Sequence, residues 1–554
     1  MRRAALALLL CLAPTVVVAA AVPNDGTAIR AAAKARLAEE SGDARAALAA
    51  LVAVASIDPA RTGLRGRMLE QALIAGDQRR AIEAAGALWQ AGEQRFDARI
   101  VLLVDAARRG DWKAARTFAG DDGAKTGPDF TARLVSPVVL GWIDVATRTR
   151  APTRHLNRFG RIGEDQTPLW IGATMLLLAG ERDAALAQAE QLNLGNRTSR
   201  VVAARLAATL ARSGDAAAAA TLSARLTDAR DDETMLRALT PTPVADARQG
   251  IGQWFALLGD GFARTPNGNA SLALLFSRAG HWLDPAEPFG QLALAEALVN
   301  AEQDEPALAL LRRSAKVPSG TADPFALRQA ELLAARGEIA QAIAVAAPEP
   351  GNLPNDRAWL VRFADVARQA ADPGVADAVF DRLLAQTGPP TIDPELHAAL
   401  LIAKAEIKLK QGRWAEAAPL LEAALAANPN DPGTLNFVGY SALERRDNVP
   451  RALARIEAAW RGDSGNAAIT DSLGWAYVLT GDVARGVPLL ERAARGDPAN
   501  TVINEHLGDA YWKSGRFIEA RYAWRAAGLG ADLAMGERLA TKIAVGLTDA
   551  TLAP

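Results

Sequence analysis

Asp471-Ser472-Leu473-Gly474-Trp475-Ala476-Tyr477, followed 34 residues later by Glu505-His506-Leu507-Gly508-Asp509-Ala510-Tyr511, is the stretch that decides how this chain folds. Leu473-Gly474 and Tyr477 recur position for position at Leu507-Gly508 and Tyr511, and Val438-Gly439 precedes them by 35 residues. Outward from this stretch a second beat appears, a glycine followed by a charged residue. Gly42, Gly76 and Gly110 stand 34 apart, as do Gly180 and Gly214, and Gly481 and Gly515; Gly337 and Gly412 belong to the same series. A fixed period of this length is the mark of a repeat architecture in which one supersecondary unit is stacked many times.

Each glycine lies between two helical patterns, where its open φ range lets one helix end and an antiparallel one begin. Five residues on stands a small residue, Ala47, Ala81, Ala115, Ala185, Ala219, Ala342, Ala417 and Ala520, with Gly486 in the same slot. A small side chain there lets the second helix approach the first. Seventeen residues after the glycine, Pro59, Pro429 and Pro498 mark the end of the second helix, because proline cannot continue it. Counting on from Pro285 places a turn at Glu302 and a small residue at Ala307. The phase breaks most between 227 and 287, around Thr240-Pro241-Thr242-Pro243 and Gly259-Asp260-Gly261, where a hinge or an enlarged repeat is expected. Pro348, Pro350 and Pro354, then Gly388-Pro389-Pro390, mark two looser joints. With one poorly matched unit near 130–165, about fourteen units are expected.

This pattern resembles the tetratricopeptide repeat, strongly in the last third of the chain and by spacing elsewhere. The resemblance implies an all-α fold, a right-handed superhelical solenoid of tandem helix-turn-helix repeats. The expected layout is a signal peptide at 1–21, repeats over 22–235, degenerate repeats with irregular joints over 236–390, well-formed repeats over 391–534, and a capping helix with a tail over 535–554. The family docks partners on the concave face made by the first helix of each repeat. Carried over to this chain, that face offers Asn436, Tyr440 and Leu443, then Asp471, Trp475 and Val478, then Glu505, Asp509 and Trp512. Aromatic anchors beside acidic groups suit extended peptides with basic and apolar side chains. Packing of Trp475 and Trp512 between neighbouring repeats is the alternative for those two residues.

Composition narrows the function. With 50% hydrophobic and 23% charged residues, the chain is too apolar for a disordered tail and too interrupted by charge for a polytopic membrane protein. A formal net charge of -1 gives no general attraction for nucleic acid. Met1-Arg2-Arg3, an apolar run, and small residues at Ala19 and Ala21 read as a cleavable secretory signal. A retained anchor helix and a lipid on Cys11 are the alternatives. The later apolar stretches at Leu134 to Ala146 and Leu169 to Ala179 are too short to span a bilayer. Cleavage at Ala21 would remove Cys11, the chain's one cysteine, and so leave no thiol.

No cofactor or metal site is expected. Lys125-Thr126-Gly127 lacks the glycine before the lysine that a phosphate loop needs. His155, His281, His397 and His506 have no spacing for metal binding, and Gly439-Tyr440-Ser441-Ala442-Leu443 fails as a nucleophile elbow at its last position. The chain is read as a non-enzyme, the alternative being a site around Asp260, His281 and Asp284. The phrases around Tyr440, Trp475 and Trp512 are similar to those of envelope tetratricopeptide proteins that include an outer-membrane lipoprotein adaptor for a periplasmic carboxyl-terminal processing protease. That resemblance implies an exported periplasmic scaffold, associated with the outer membrane, that delivers cell-wall hydrolases to the protease. A component of outer-membrane assembly or polysaccharide export is the alternative.

Overall fold

Gly42, Gly76, Gly110, Gly180, Gly214, Gly337, Gly412, Gly481 and Gly515 have φ between +69° and +94°, so each ends a helix in the left-handed region that a side chain disfavours. Glu302, at the turn expected from the phase alone, has φ +58° without being glycine. The next helix is then capped from its first residue. Asp43, Asp77, Asp111 and Asp482 accept the amide N–H of Ala46, Arg80, Ala114 and Arg485 at 3.0–3.1 Å, meeting donors that a helix start leaves open. Five residues past the glycine, Ala47, Ala81, Ala115, Ala342, Ala417 and Ala520 are wholly buried. A Cβ on Gly486 would meet the Gly474 carbonyl at 2.7 Å. The helices Ala44–Ile57, Trp414–Ala427 and Val483–Gly496 stop two residues before Pro59, Pro429 and Pro498.

The computed structural model describes residues 25–553 except 60, 121–133, 150, 159–166, 228–238, 240, 267, 316–321 and 348–352. The signal segment with Cys11, the Lys125 motif, and Pro348 and Pro350 therefore lie outside the described residues. Among the described residues there are 28 α-helices, one 3-10 helix and no strand. Taken two at a time they form fourteen helix-turn-helix units and a last single helix, Leu533–Val545, with the 3-10 helix Pro152–Arg158 completing the unit that begins with Ser136–Ala146. The fold is an all-α helical-repeat solenoid. No helix among the described residues is long and apolar enough to cross a membrane.

The chain divides into two compact units, one through residue 316 together with Pro324–Ala326, the other from residue 327 onward. In the first, Gly259 and Gly261 lie within the 18-residue helix Ala247–Arg264, which pairs with Ala270–Leu283. The two backbones nearly touch, since a Cβ on Gly280 would meet Ala256 N at 2.8 Å and Gly252 O at 2.9 Å. This pair packs back onto early repeats of its own unit. Arg278 donates to the carbonyls of Leu73 and Ile74 at 3.0 and 2.9 Å, Phe276 meets Phe96 edge-on at 5.9 Å, and Trp254 Nε1 donates to Leu134 O at 3.2 Å.

In the second unit the last repeats are the pairs Pro432–Glu444 with Val449–Gly462, Ala467–Leu479 with Val483–Gly496, and Thr501–Lys513 with Phe517–Ala527. Each first helix packs on its own partner, and the first helices of consecutive repeats pack on one another. Those first helices thus form one continuous inner face.

Candidate protein-binding groove

Three glycines at equivalent positions set the spacing behind that face. Gly439, Gly474 and Gly508 lie against Ile456, Leu490 and Trp524 of the partner helices, side chains that are themselves 34 residues apart. Tyrosines three residues on hold the other edge: Tyr477 donates to Glu457 at 2.9 Å beneath Arg485, and Tyr511 donates to Glu491 at 2.9 Å beneath Arg516. Burial and the neighbouring carboxylate raise both phenols above the ordinary tyrosine value. The repeat motif is a support, and what varies between repeats faces inward.

The nine inner-face positions go to different surroundings. Trp475 is fully buried and stacks on His506, centroids 4.4 Å apart and rings 8° from parallel. His506 Nδ1 lies 2.8 Å from Asp471 Oδ2, and Tyr440 stands 6.4 Å from the same imidazole. Val478 joins Trp475, Leu507 and Ala510 in one apolar cluster, and Tyr440 packs on its edge. Asn436 lies one helical turn before Tyr440 on the same helix face. Leu443 instead packs in the neighbouring cluster with Ile456 and Leu473. Trp512 sits between Phe517 and Trp524, at 4.5 and 5.5 Å, with the Arg521 guanidinium 5.1 Å over its ring.

Glu505 and Asp509 are both buried and both tied to the last helix. Lys542, wholly buried, donates to Glu505 at 2.7 Å and to both Asp509 oxygens at 2.8 Å. Arg538 adds a two-pronged pair to Glu505 at 2.8 and 2.7 Å. Burial works to raise the Glu505 carboxyl, but the hydrogen bonds from Arg538 and Lys542 overcome it and hold the group below its ordinary value. For Asp509 burial is the larger influence and pushes the carboxyl up. Asp509 also accepts Trp524 Nε1 and the backbone amide of Ala553, each at 2.8 Å.

Among the described residues three buried polar atoms on this face have no hydrogen-bond partner: Asn436 Oδ1, Asp471 Oδ1 and His506 Nε2. Asn436 Oδ1 and Asp471 Oδ1 are acceptors, and His506 Nε2 is one in the tautomer that places the proton on Nδ1, toward Asp471. The Tyr440 phenol, raised first by burial and then by Glu444 and Asp471, stays a neutral donor at any physiological pH. The inner face can therefore grip peptide backbone and donor side chains through acceptors set among aromatic rings. Sequence reasoning did not select His506, Lys542 or Ala553. His506 directly follows the chosen Glu505, but no spacing rule distinguishes it from the other histidines.

The alternative enzymatic trio does not converge. Asp260 pairs with Arg197 and Arg264, each at 3.0 Å, whereas Asp284 pairs with Arg205 and accepts from Gln249 at 3.3 Å. Asp284 lies beside Gly252, eight residues before Asp260 on the same helix, a separation of roughly 12 Å at 1.5 Å per residue. His281, lowered to about 4 by burial and by Arg278 and Arg313, is a neutral imidazole whose Nδ1 has no partner.

No protein-family model matches the chain. No curated protein matches it either. Solved helical-repeat proteins do. A tetratricopeptide repeat protein from Parabacteroides merdae aligns at 12% identity over 45% of this chain and 96% of its own, with TM-score 0.37. A thermophilic TPR protein of Thermus thermophilus aligns at 22% identity over 39% and 96%, TM-score 0.27. The Cut9-Hcn1 hetero-tetramer of the APC/C aligns at 12% identity over 93% and 96%, TM-score 0.31. These are likenesses of one helical repeat to another, and the fold assignment stands on the packing described above.

Proposed function

We propose that the chain is an exported, non-catalytic scaffold of the cell envelope that holds extended segments of partner proteins on the inner face of its last repeats. One observation carries this reading: the face already accommodates a stretch of the chain's own backbone, with the Ala553 amide on Asp509 at 2.8 Å and its methyl buried among Trp475, Val478, Leu507 and Ala510. Residues Met1 to Ala21, basic then apolar, are the export address that would deliver the protein to the periplasm. Within that compartment the phrases around Tyr440, Trp475 and Trp512 favour an adaptor that presents cell-wall hydrolases to a processing protease.

The test is affinity purification from cross-linked envelope extracts, with mass spectrometry, of the wild-type chain beside Asn436→Ala/Tyr440→Ala. Both residues are half-buried, so the double variant is expected to fold, which circular dichroism checks. Recovery of a protease with a wall hydrolase, lost in the variant, is the expected result. Identical partner sets from both chains would place binding elsewhere and overturn the inner-face reading; assembly or export machinery in their place would overturn the adaptor reading alone.

A further inference from the structure

The segment after the last helix lies on the inner face. Gly546, at φ +94°, turns the chain against Trp512, whose ring fills the space a side chain at 546 would need. Thr548 and Thr551 close a turn, with the Thr551 and Leu552 amides both donating to Thr548 O at 3.0 Å. Thr548, Asp549 and Ala550 are exposed. Leu552, half-buried, and Ala553, buried, then enter the cluster of Trp475, Val478, Leu507 and Ala510, whose edge Tyr440 forms. Among the described residues, one methyl, part of one leucine and one hydrogen bond to Asp509 hold the segment in the groove. The preceding helix is fixed far more firmly by the Lys542, Glu505 and Asp509 network.

We propose that residues 548–553 are an exchangeable occupant of this groove, and that it specifies the partner: a segment carrying a leucine and then a small apolar residue, followed by a basic side chain. This rests on the inner-face reading above and gives it a ligand chemistry and a competitor in cis. The leucine and small residue follow from what Leu552 and Ala553 fill. The basic residue follows from what they leave unmet. From Trp512 the segment reaches Asp509 and the cluster of Trp475, Val478, Leu507 and Ala510. On the same face stand Asp471 Oδ1, His506 Nε2 and Asn436 Oδ1, without a partner among the described residues, the first one helical turn before Trp475. Asp471 and His506 are buried to more than nine-tenths. A peptide that repeats the contacts of Leu552 and Ala553 and adds donors for these atoms gains what residues 548–553 do not supply. Until it arrives, the groove is open only for the fraction of time that 548–553 is out, and partner affinity is reduced by that fraction.

The probe is a fluorescent heptapeptide, Thr-Asp-Ala-Thr-Leu-Ala-Arg, with a control bearing glutamate in place of its second alanine. Fluorescence anisotropy compares the full chain with its Ala553→Glu variant, in which the carboxylate would face Asp509 and the segment leave the groove. The expected result is binding at least tenfold tighter to the variant, about 1.4 kcal/mol, with the control peptide failing on both. In case the variant does not fold, hydrogen exchange on the wild-type chain reads the same event. Saturating peptide should strip protection from the Leu552 and Ala553 amides while Leu533–Val545 keeps its own. Equal affinity for both chains, or unchanged protection at millimolar peptide, overturns the proposal. Protection of Ala553 that rises with protein concentration overturns the cis assignment in favour of a second copy. If envelope partners are captured on the inner face yet the heptapeptide displaces nothing, this inference falls and the scaffold reading stands.

Discussion

Gly508→Ala puts the central packing claim under the sharpest strain. An ideal Cβ at 508 would overlap Trp524 Cδ1 and Nε1 and lie 3.0 Å from Cγ. The ring has nowhere to go: Trp524 is fully buried, its Nε1 is bonded to Asp509 at 2.8 Å, and Trp512 stands 5.5 Å away. Forcing an extra methyl into such a site costs about 1–3 kcal/mol. Pulling Nε1 off the carboxylate adds up to about 1.5–3 kcal/mol. Against this, alanine in a helix interior gains about 1 kcal/mol over glycine. The net expectation is destabilisation of about 2 kcal/mol, a fall in melting temperature of roughly 4–8 °C for a unit of this size. Gly536→Ala supplies the opposite sign in the same unit, since a Cβ there meets no atom within 4 Å, and should raise the midpoint by roughly 2–4 °C. Both are read by thermal melting followed by circular dichroism, with hydrogen exchange across 501–527 to locate the loss. A Gly508→Ala midpoint equal to or above wild type, beside a raised Gly536→Ala midpoint, would refute the close approach of the two helices.

Three further outcomes follow from other parts of the molecule. Lys542→Met leaves Glu505 and Asp509 buried without their shared cation, so the second unit should lose about 3–5 kcal/mol and Ala553 amide exchange should accelerate; an unaltered melt would show that the acids are paired otherwise. Because His281 is lowered to about 4 in the folded chain from an ordinary 6.5, the unfolded state binds the extra proton between those values. The stability it contributes is whole above pH 6.5 and is lost as pH falls toward 4, on the order of 3 kcal/mol. Urea midpoints at pH 7 and pH 4.5 should therefore differ less in His281→Gln than in wild type. Asp111→Ala removes the bond to the Ala114 amide at 3.0 Å and should cost about 1 kcal/mol, measured as faster exchange at the start of helix Trp112–Ala119, with Asp111→Asn nearly neutral.

The repeat fold was legible because its signals are local and obligatory. A left-handed turn needs glycine, and a helix ends before proline. Even Glu302 could be placed by phase, although it adopts φ +58° where the other turns use glycine. Contacts that join distant stretches left no such trace. Arg278 reaches Leu73 across 205 residues, and nothing in Gly259-Asp260-Gly261 announces that a long helix runs through it to pack on early repeats. The inner face was half legible for the same reason. Helical register put Asn436, Tyr440, Asp471 and Trp475 on one side, but register cannot say that Leu443 turns into the neighbouring cluster or that Lys542 neutralises Glu505 and Asp509.

Asp509 shows why chemistry in a repeat protein collects where the repeats end. Its equivalents one and two repeats earlier are Trp475 and Tyr440, which pack against the next first helix in line. Among the described residues a single helix, not a helix pair, follows the last repeat, and a buried carboxylate there takes donors that the regular stack would exclude. Lys542 comes from the capping helix, Trp524 from the same repeat, and the Ala553 amide from the segment beyond. The first two donors fix the carboxylate in place, and only the third belongs to the segment beyond the last helix. A residue that is structural through two of its bonds is thereby a binding residue through the third. Substitution at Asp509 itself would confound stability with recognition, whereas a change at Ala553 or in an added peptide isolates the third bond.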